Sequence, residues 1–261
     1  MNISMASVTI ESRKLPPRIG FNAVAGYGKT STWAFARNPI YMMAKGETGL
    51  ETLVSEKQIP PTPHFHELMN WGEVIETTKA LLKEDHEYKT LILDAAGSFE
   101  ALMHQSVCDE HYKGEWGEKG FTSYMRGYEV SLPVWQDWLD RLDALRVQRG
   151  MTIVLLSHVQ IKPFANPEGE NYDRYIPVLH AKTWAITERW LDIVLFGNWY
   201  TIVESKGGKG KGKGGQTRFI YTQRHAAYDA KNRHGLPEEI AIPNDGPESG
   251  YKALKEAFIH G

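Results

Sequence analysis

A glycine turn, Gly26-Tyr27-Gly28-Lys29-Thr30, separates an apolar run from a helical stretch near the start of this 261-residue chain. Residues 18–25 (RIGFNAVA) predict a buried strand, and residues 30–37 predict a helix that ends before Asn38-Pro39. A strand that enters a helix through so short a turn directs several unpaired backbone N–H groups at one point beyond the sheet edge. The fold must therefore place a helix N-terminus beside the carboxyl end of a strand.

The turn has the residue types of a phosphate-binding loop. Glycines let the backbone approach the anion, Lys29 can reach the β- and γ-phosphates, and the Thr30 hydroxyl can bind Mg²⁺. The complete pattern has glycine five residues before Gly28, where this chain has Ala23. Gly-Lys-Thr alone is a common tripeptide, so the prediction depends on its place between strand and helix. The residues expected to contact ATP are Ala25, Gly26, Tyr27, Gly28, Lys29, Thr30 and Ser31.

A second element of such a site is an apolar run over residues 90–93 that ends in Asp94. Ligands of open α/β sheets bind at the carboxyl ends of the strands, so Asp94 is expected to hold Mg²⁺ opposite Thr30. Many buried strands end in an aspartate that caps a helix, which makes Asp94 informative only together with the loop.

The rest of the chain alternates apolar runs with helical periods, which predicts an α/β fold with a mainly parallel sheet. A polar stretch over residues 162–173 predicts a mobile loop. Further strands are expected over residues 40–44, 151–156, 193–204 and 216–222, and helices over 71–83 and 134–147.

The charge and cysteine content limit the partners and the compartment. The net charge of −2 gives no global positive field, so contact with nucleic acid requires a local basic patch. The single cysteine, Cys108, excludes an internal disulfide, and residues 1–17 have no apolar leader segment, so we expect a cytoplasmic protein. No apolar run is long enough for a membrane span, and no membrane partner is expected.

Five segments resemble RecA-like P-loop ATPases, and more closely the compact phage-type AAA-domain proteins proposed as single-strand annealing recombinases. They are residues 26–36, 40–53, 90–102, 152–158 and 228–240. The resemblance implies a RecA-like P-loop NTPase fold: a mainly parallel central sheet flanked by helices, with a C-terminal β-hairpin. It also implies ATP and Mg²⁺ as cofactors and ATP hydrolysis. The implied partners are single-stranded DNA, further copies of the chain in a ring or filament, and a single-strand binding protein.

The same resemblance implies roles for four more residues. Glu47 would polarise the attacking water, although a slip in the alignment would give that role to Glu51. His158 would contact the γ-phosphate, and Lys231 and Arg233 would reach the ATP of a neighbouring chain. Each has a structural alternative: a solvated carboxylate, a histidine at a sheet edge, and a solvated basic turn.

Residues 206–215 (KGGKGKGKGG) predict a flexible hairpin tip. Mobile cations on such a tip suit sequence-independent contact with DNA phosphates, which assigns DNA binding to Lys206, Lys209, Lys211 and Lys213. Nearby aromatic residues suit base stacking if they face outward; they are Trp199, Tyr200, Phe219 and Tyr221. The alternative is a solvated tip with packed strand aromatics. A second aromatic segment over residues 112–128 is another candidate for stacking.

We expect a RecA-like ATPase domain over residues 18–245, preceded by an extension (1–17) and followed by a C-terminal helix (246–261). The favoured function is an ATP-hydrolysing protein that acts on single-stranded DNA in phage-type recombination, annealing or replication. The alternative is a nucleotide-gated binding module for a protein partner, with little ATP turnover. A small-molecule kinase would need an acceptor pocket and a lid, and neither is clear in the sequence.

Overall fold

A computed structural model describes residues 5, 8–10, 14–206 and 209–260 of the chain. Its strands are β1 (Arg18–Ala23), β2 (Pro39–Met43), β3 (Thr90–Asp94), β4 (Thr152–Phe164), β5 (Tyr172–Pro177), β6 (Ile193–Lys206), β7 (Lys209–Tyr221), β8 (Lys231–Asn232) and β9 (Glu239–Ile242). The central sheet has five parallel strands in the order β2-β3-β4-β1-β6, extended by antiparallel β7 and β9. The shorter strands β5 and β8 pair with β4 and β6.

Helices cover both faces of the parallel strands. One face packs against α1 (Lys29–Trp33), α2 (Gly49–Ser55) and α7 (Ser249–His260). The other face packs against α3 (Trp71–Lys83), α4 (Ala96–Tyr112), α5 (Arg126–Arg149) and α6 (Ala181–Trp190). Parallel strands covered on both faces bury nearly all of their side chains, which is why the central strands are such continuous apolar runs. The expected α/β fold, with a mainly parallel sheet, flanking helices and a C-terminal β-hairpin, is confirmed.

Helix α5 buries a stripe of aromatic and leucine side chains. Trp135 and Trp138 are fully buried and pack at 6.2 and 5.3 Å from the ring of Trp71. The helix begins at Arg126 rather than at residue 134. It continues through Pro133, although proline removes one helical hydrogen bond. Burial of the long apolar face compensates for that single missing bond.

Two predicted loops are partly strand. Residues 162–164 belong to β4 and residues 172–173 to β5, which pair as an antiparallel hairpin, so the predicted mobile loop shrinks to the connection between them. Likewise, the backbone of the glycine-lysine tract from Lys209 onward lies in β7 and pairs with residues 201–206 of β6. In both cases a partner strand supplies the hydrogen bonds that the local sequence alone does not indicate.

Both ends of the described chain contact the central sheet domain. Helix α7 lies in the predicted C-terminal segment and packs into the core with Trp33, whose ring lies 5.9 Å from that of Tyr251. Most of the predicted N-terminal extension lies outside the described residues, but the Pro17 carbonyl accepts a 3.2 Å hydrogen bond from the Ile153 N–H. In the described part of the chain, no helix is long and apolar enough to cross a membrane.

Candidate functional site

The glycine turn connects β1 to α1 at the carboxyl end of the parallel sheet. Gly26 and Gly28 have φ of 71° and 98°, in the region that favours glycine, and Gly28 is the N-cap of α1. The helix is shorter than predicted and ends at Trp33, because the Ala36 N–H turns back to the Trp33 carbonyl at 3.1 Å. The loop therefore presents a helix N-terminus at the sheet edge, as the sequence indicates.

Ala23 occupies the position where the complete loop pattern has glycine, and the neighbouring strand makes room for it. Ala23 is fully buried and pairs in register with Gly197 of β6. A Cβ atom on Gly197 would lie 2.9 Å from the Ala23 Cβ and 2.7 Å from the Tyr27 ring. The missing glycine of the loop is thus compensated by a glycine on the adjacent strand.

Lys29 is buried beneath the loop. Its Nζ donates hydrogen bonds to the carbonyl oxygens of Ala23 at 3.1 Å and Val24 at 3.3 Å. Burial lowers the pKa of Lys29, while the nearby carboxylates of Asp94 and Glu47 raise it. The amine is thus a desolvated cation held within the loop, where it would interact strongly with an anion.

Thr30 and Asp94 form the polar centre of the site. The Thr30 hydroxyl donates a 2.7 Å hydrogen bond to Asp94 Oδ2, and the Thr30 carbonyl accepts one from the Tyr41 hydroxyl at 2.7 Å. Asp94 is only 5% exposed. Burial raises its pKa to about 6, helped by the charge of Glu47 and opposed by Thr30 and Lys29. A hydroxyl and a buried carboxylate are the oxygen ligands that Mg²⁺ uses, and a divalent cation would relieve the cost of burying this charge.

Glu47 lies in the segment after β2 and faces the same site. Its carboxylate accepts a 2.7 Å hydrogen bond from the Ser98 hydroxyl at the start of α4. The alternative carboxylate, Glu51, lies on α2, 3.7 Å from His64 Nε2, and does not line the cleft that Glu47 lines. The structure therefore brings Glu47 to the loop and leaves Glu51 outside it.

His158 lies beside the loop because its strand position pairs with Ala23. Burial and the charge of Lys29 lower its pKa, and Glu47 opposes that shift. The imidazole is therefore neutral near pH 7, able to donate or accept one hydrogen bond at each nitrogen.

These residues line a cleft of about 460 Å³, which we call the loop cleft. Its lining includes all of the predicted nucleotide-contacting residues except Ala25, which is exposed beside it. The loop cleft is lined by Gly26, Tyr27, Gly28, Lys29, Thr30, Ser31, Glu47, Gly49, Leu53, Gln58, Asp94, His158 and Arg218.

Arg218 is the charged lining residue that the sequence does not predict. It extends from β7, and its guanidinium donates to the Tyr27 carbonyl at 3.1 Å and to the Ser249 hydroxyl at 3.3 Å. The guanidinium also lies 5.9 Å from the ring centres of both Tyr27 and Trp199. Nothing local marks this arginine, because it reaches the loop only through the pairing of distant strands.

Lys231 and Arg233 lie away from the loop cleft of their own chain. Lys231, on strand β8, pairs with Val194 of β6, three positions before Gly197 and so roughly 10 Å along the sheet. The Lys231 amine donates to the Glu188 carbonyl. Arg233 is 3.9 Å from Asp192, and its side chain is 56% exposed. Arg233 is thus free to contact another chain, whereas Lys231 is held within its own.

The predicted DNA-binding lysines belong to the hairpin of β6 and β7. The backbones of Lys206, Lys209, Lys211 and Lys213 lie in the paired ends of β6 and β7. Their side chains lie outside the described residues, as do residues 207–208 entirely. The second aromatic segment is only partly packed: Phe121 is fully buried, with the rings of Trp116 and Tyr128 at 4.6 and 5.0 Å, whereas Tyr124 is 90% exposed.

Comparison with known proteins adds two findings. The family model described as an AAA domain matches residues 16–234. A crystal structure of the RadB recombinase superposes over 90% of this chain and 90% of its own, with a TM-score of 0.46 and 12% sequence identity. No curated protein shows significant sequence similarity to the chain.

Proposed function

We propose that this chain, which belongs to the AAA domain family, binds ATP with Mg²⁺ in the loop cleft and hydrolyses it. We further propose that it acts on single-stranded DNA in phage-type recombination, annealing or replication. The observation that carries the nucleotide part is the contact between Thr30 and the buried Asp94 carboxylate, with Lys29 beside them. P-loop enzymes bind a nucleoside triphosphate and its metal ion with a loop lysine, a hydroxyl and a carboxylate at the end of a strand.

The loop supplies binding and charge stabilisation. Backbone N–H groups at the start of α1 face the phosphates, and the Lys29 amine would leave the carbonyls of Ala23 and Val24 to bind them. Thr30 and Asp94 would hold Mg²⁺, which when bound neutralises charge on the β- and γ-phosphates. Arg218 places a further positive charge beside the loop from within the same chain.

Hydrolysis requires an oriented water, and Glu47 is the group we assign to it. The Ser98 hydroxyl bonds only one of its carboxylate oxygens, Oε1, in the described contacts, which leaves Oε2 to accept a proton from water. His158, a neutral imidazole at the cleft wall, would bond the γ-phosphate or this water. Positioning and electrostatics account for most of phosphoryl transfer, so no covalent intermediate is needed.

The proposed DNA binding is supported by the sequence of the glycine-lysine tract, and the proposed assembly by the exposure of Arg233. The glycine-lysine tract concentrates positive charge in a chain whose net charge is −2, and such a tract neutralises DNA phosphates without reading bases. Arg233 is exposed and remote from its own loop cleft, so a role in catalysis requires a neighbouring chain in a ring or filament. A single-strand binding protein would present the DNA to such an assembly.

The proposal is tested by the rate of ATP hydrolysis with and without single-stranded DNA, across protein concentrations. We expect a rate that increases with DNA and rises more steeply than protein concentration, because completed sites need two chains. ATP binding without turnover, unaffected by DNA, would instead support a nucleotide-gated module for a protein partner. Absence of ATP binding would overturn the proposal altogether.

A further inference from the structure

A second cavity, of about 500 Å³, lies on the antiparallel extension of the sheet. We call it the aromatic groove and define it by Tyr175, Tyr200, Tyr221, His225 and Tyr228, which line it. Tyr200 is 49% exposed, and the other four lie at the surface or are partly buried. None of these five residues lines the loop cleft, so the aromatic groove is a separate site.

The alternation of side chains along β7 explains why aromatic rings collect here. Ile220 is fully buried in the core on the α1 face, so its neighbours Phe219 and Tyr221 point to the opposite face of the sheet. Their rings lie 6.1 Å apart with planes inclined by 21°. The Tyr228 ring lies 5.1 Å from that of Tyr221 and stacks on Phe196 at 4.3 Å with planes inclined by 17°. The result is a layer of near-parallel rings on one sheet face.

The charges around this layer indicate which part of a ligand it can accept. Glu238 and Glu239 line one side of the aromatic groove, and Arg224 also lines it. Burial and the charge of Glu239 help to raise the pKa of Tyr228 to about 12, so its ring stays neutral. A phosphate next to the two glutamates would be repelled, whereas an uncharged, flat base could stack on the rings. The lysine-rich tip lies at the start of β7 and Arg224 follows its end, so the backbone of a bound strand would run along β7 between these two cationic ends.

We propose that the aromatic groove is a base-stacking site for single-stranded DNA, an inference that rests on the proposed function and names the surface that holds the bases. Single strands fit because their bases are free to leave the stack, whereas duplex bases are paired. The hairpin lysines would supply the phosphate contacts, and the aromatic groove would distinguish a strand that has bases from one that has none.

The aromatic groove is connected to the loop cleft by direct contacts. The buried Tyr27 hydroxyl, in the phosphate-binding loop, donates a 2.9 Å hydrogen bond to the carbonyl of Phe219. Arg218, the preceding residue of β7, donates to the Tyr27 carbonyl and pairs across the strands with Trp199. If the loop moves on binding ATP, these contacts would transmit the movement to the strand that carries Phe219 and Tyr221. ATP is expected to change the affinity for bases, and Tyr27→Phe is expected to reduce that change.

The test compares two labelled strands of equal length by fluorescence anisotropy: oligo(dT), and an abasic strand with the same phosphates. The wild-type protein is expected to bind oligo(dT) more tightly. Tyr200→Ala should weaken binding of oligo(dT) by about fivefold to about 150-fold and leave the abasic strand unaffected. Tyr228→Leu, which retains apolar volume, should act in the same direction. Met69→Ala is the matched control, because Met69 is 48% exposed, about as much as Tyr200, and lies outside both the groove and residues 112–128.

The outcomes separate this inference from the proposed function. If the wild type binds both strands equally, or if Tyr200→Ala and Tyr228→Leu bind oligo(dT) like the wild type, the aromatic groove does not hold bases, and the DNA function stands on the lysines alone. If the wild type binds neither strand, the proposed DNA function fails and the groove assignment fails with it. An ATP effect that is unchanged in Tyr27→Phe would overturn the connection between the two sites.

Discussion

Replacement of Asp94 by Asn should stabilise the ligand-free protein while abolishing its Mg²⁺-dependent activity. Asp94 is 5% exposed, and burial is the main reason that its pKa rises from 3.8 to about 6. Asparagine keeps an oxygen that can accept the hydrogen bond from Thr30, but it has no charge to bury. The carboxylate is thus retained at a cost to stability, as is common at functional sites.

The magnitude and its pH dependence follow from the two pKa values. Between pH 3.8 and about 6 the folded protein binds a proton that the unfolded chain has lost, so the stability of the wild type falls as pH rises through this range. Above pH 6 the buried Asp94 carboxylate is ionised, and it lowers the free energy of unfolding by its full amount, about 3 kcal/mol at 1.36 kcal/mol per pKa unit. The free energy of unfolding of Asp94→Asn should therefore exceed that of the wild type by more at pH 8 than at pH 5, and the difference between the two pH values should be about 1.4 kcal/mol. A fixed cost of burying the asparagine amide cancels in this difference.

The assay is urea denaturation of both proteins at the two pH values, without nucleotide or metal. Asp192→Asn is a control of opposite sign. Burial raises the pKa of Asp192, but the hydrogen bonds and charge of Arg18 outweigh it and lower the pKa, so this variant should be less stable than the wild type at pH 8. The reasoning would be refuted if Asp94→Asn were no more stable to urea than the wild type at pH 8, or if its gain in free energy of unfolding were equal at pH 5 and pH 8.

Three further predictions concern turnover and DNA. Glu47→Gln should preserve ATP binding and slow hydrolysis in single-turnover assays, whereas Glu51→Gln should not; the reverse result would move the water-orienting role to Glu51. Arg233→Ala should lower kcat by roughly 10³-fold or more, with partial recovery when it is mixed with Lys29→Ala subunits, and mixed oligomers without recovery would exclude a role in a neighbour's site. Changing the four lysines of residues 206–213 to Ser should reduce the slope of log K against log salt for single-stranded DNA by up to ~3, and an unchanged slope would show that these lysines do not contact phosphates.

The parts of the site that were predictable are those that a local pattern marks. The strand, glycine turn and helix around Lys29, and the apolar strand that ends in Asp94, are each contained in a few consecutive residues. The sheet topology then brings Thr30 and Asp94 into contact across 64 positions of sequence. The roles of Glu47 and His158 were predicted only from the family resemblance, and the structure places both residues at the loop cleft.

The contacts that could not be predicted are non-local. Arg218 and Phe219 reach Tyr27 across 191 and 192 positions, and only the pairing of β7 with β6 brings them there. The same pairing gives a regular backbone to a glycine-lysine tract whose composition suggests none. Pairing energy depends on the partner strand and on burial, so composition alone does not determine such segments.

The most direct test of the account is calorimetric titration of ATP with Mg²⁺ into the wild-type protein and Lys29→Ala. The account predicts saturable binding by the wild type. In the variant we expect no measurable binding, because the buried amine is the cation placed within the loop itself. Circular dichroism of the variant would establish that it is folded. Equal ATP affinity of the two proteins, or no binding by the wild type, would contradict the assignment of the loop cleft as a nucleotide site.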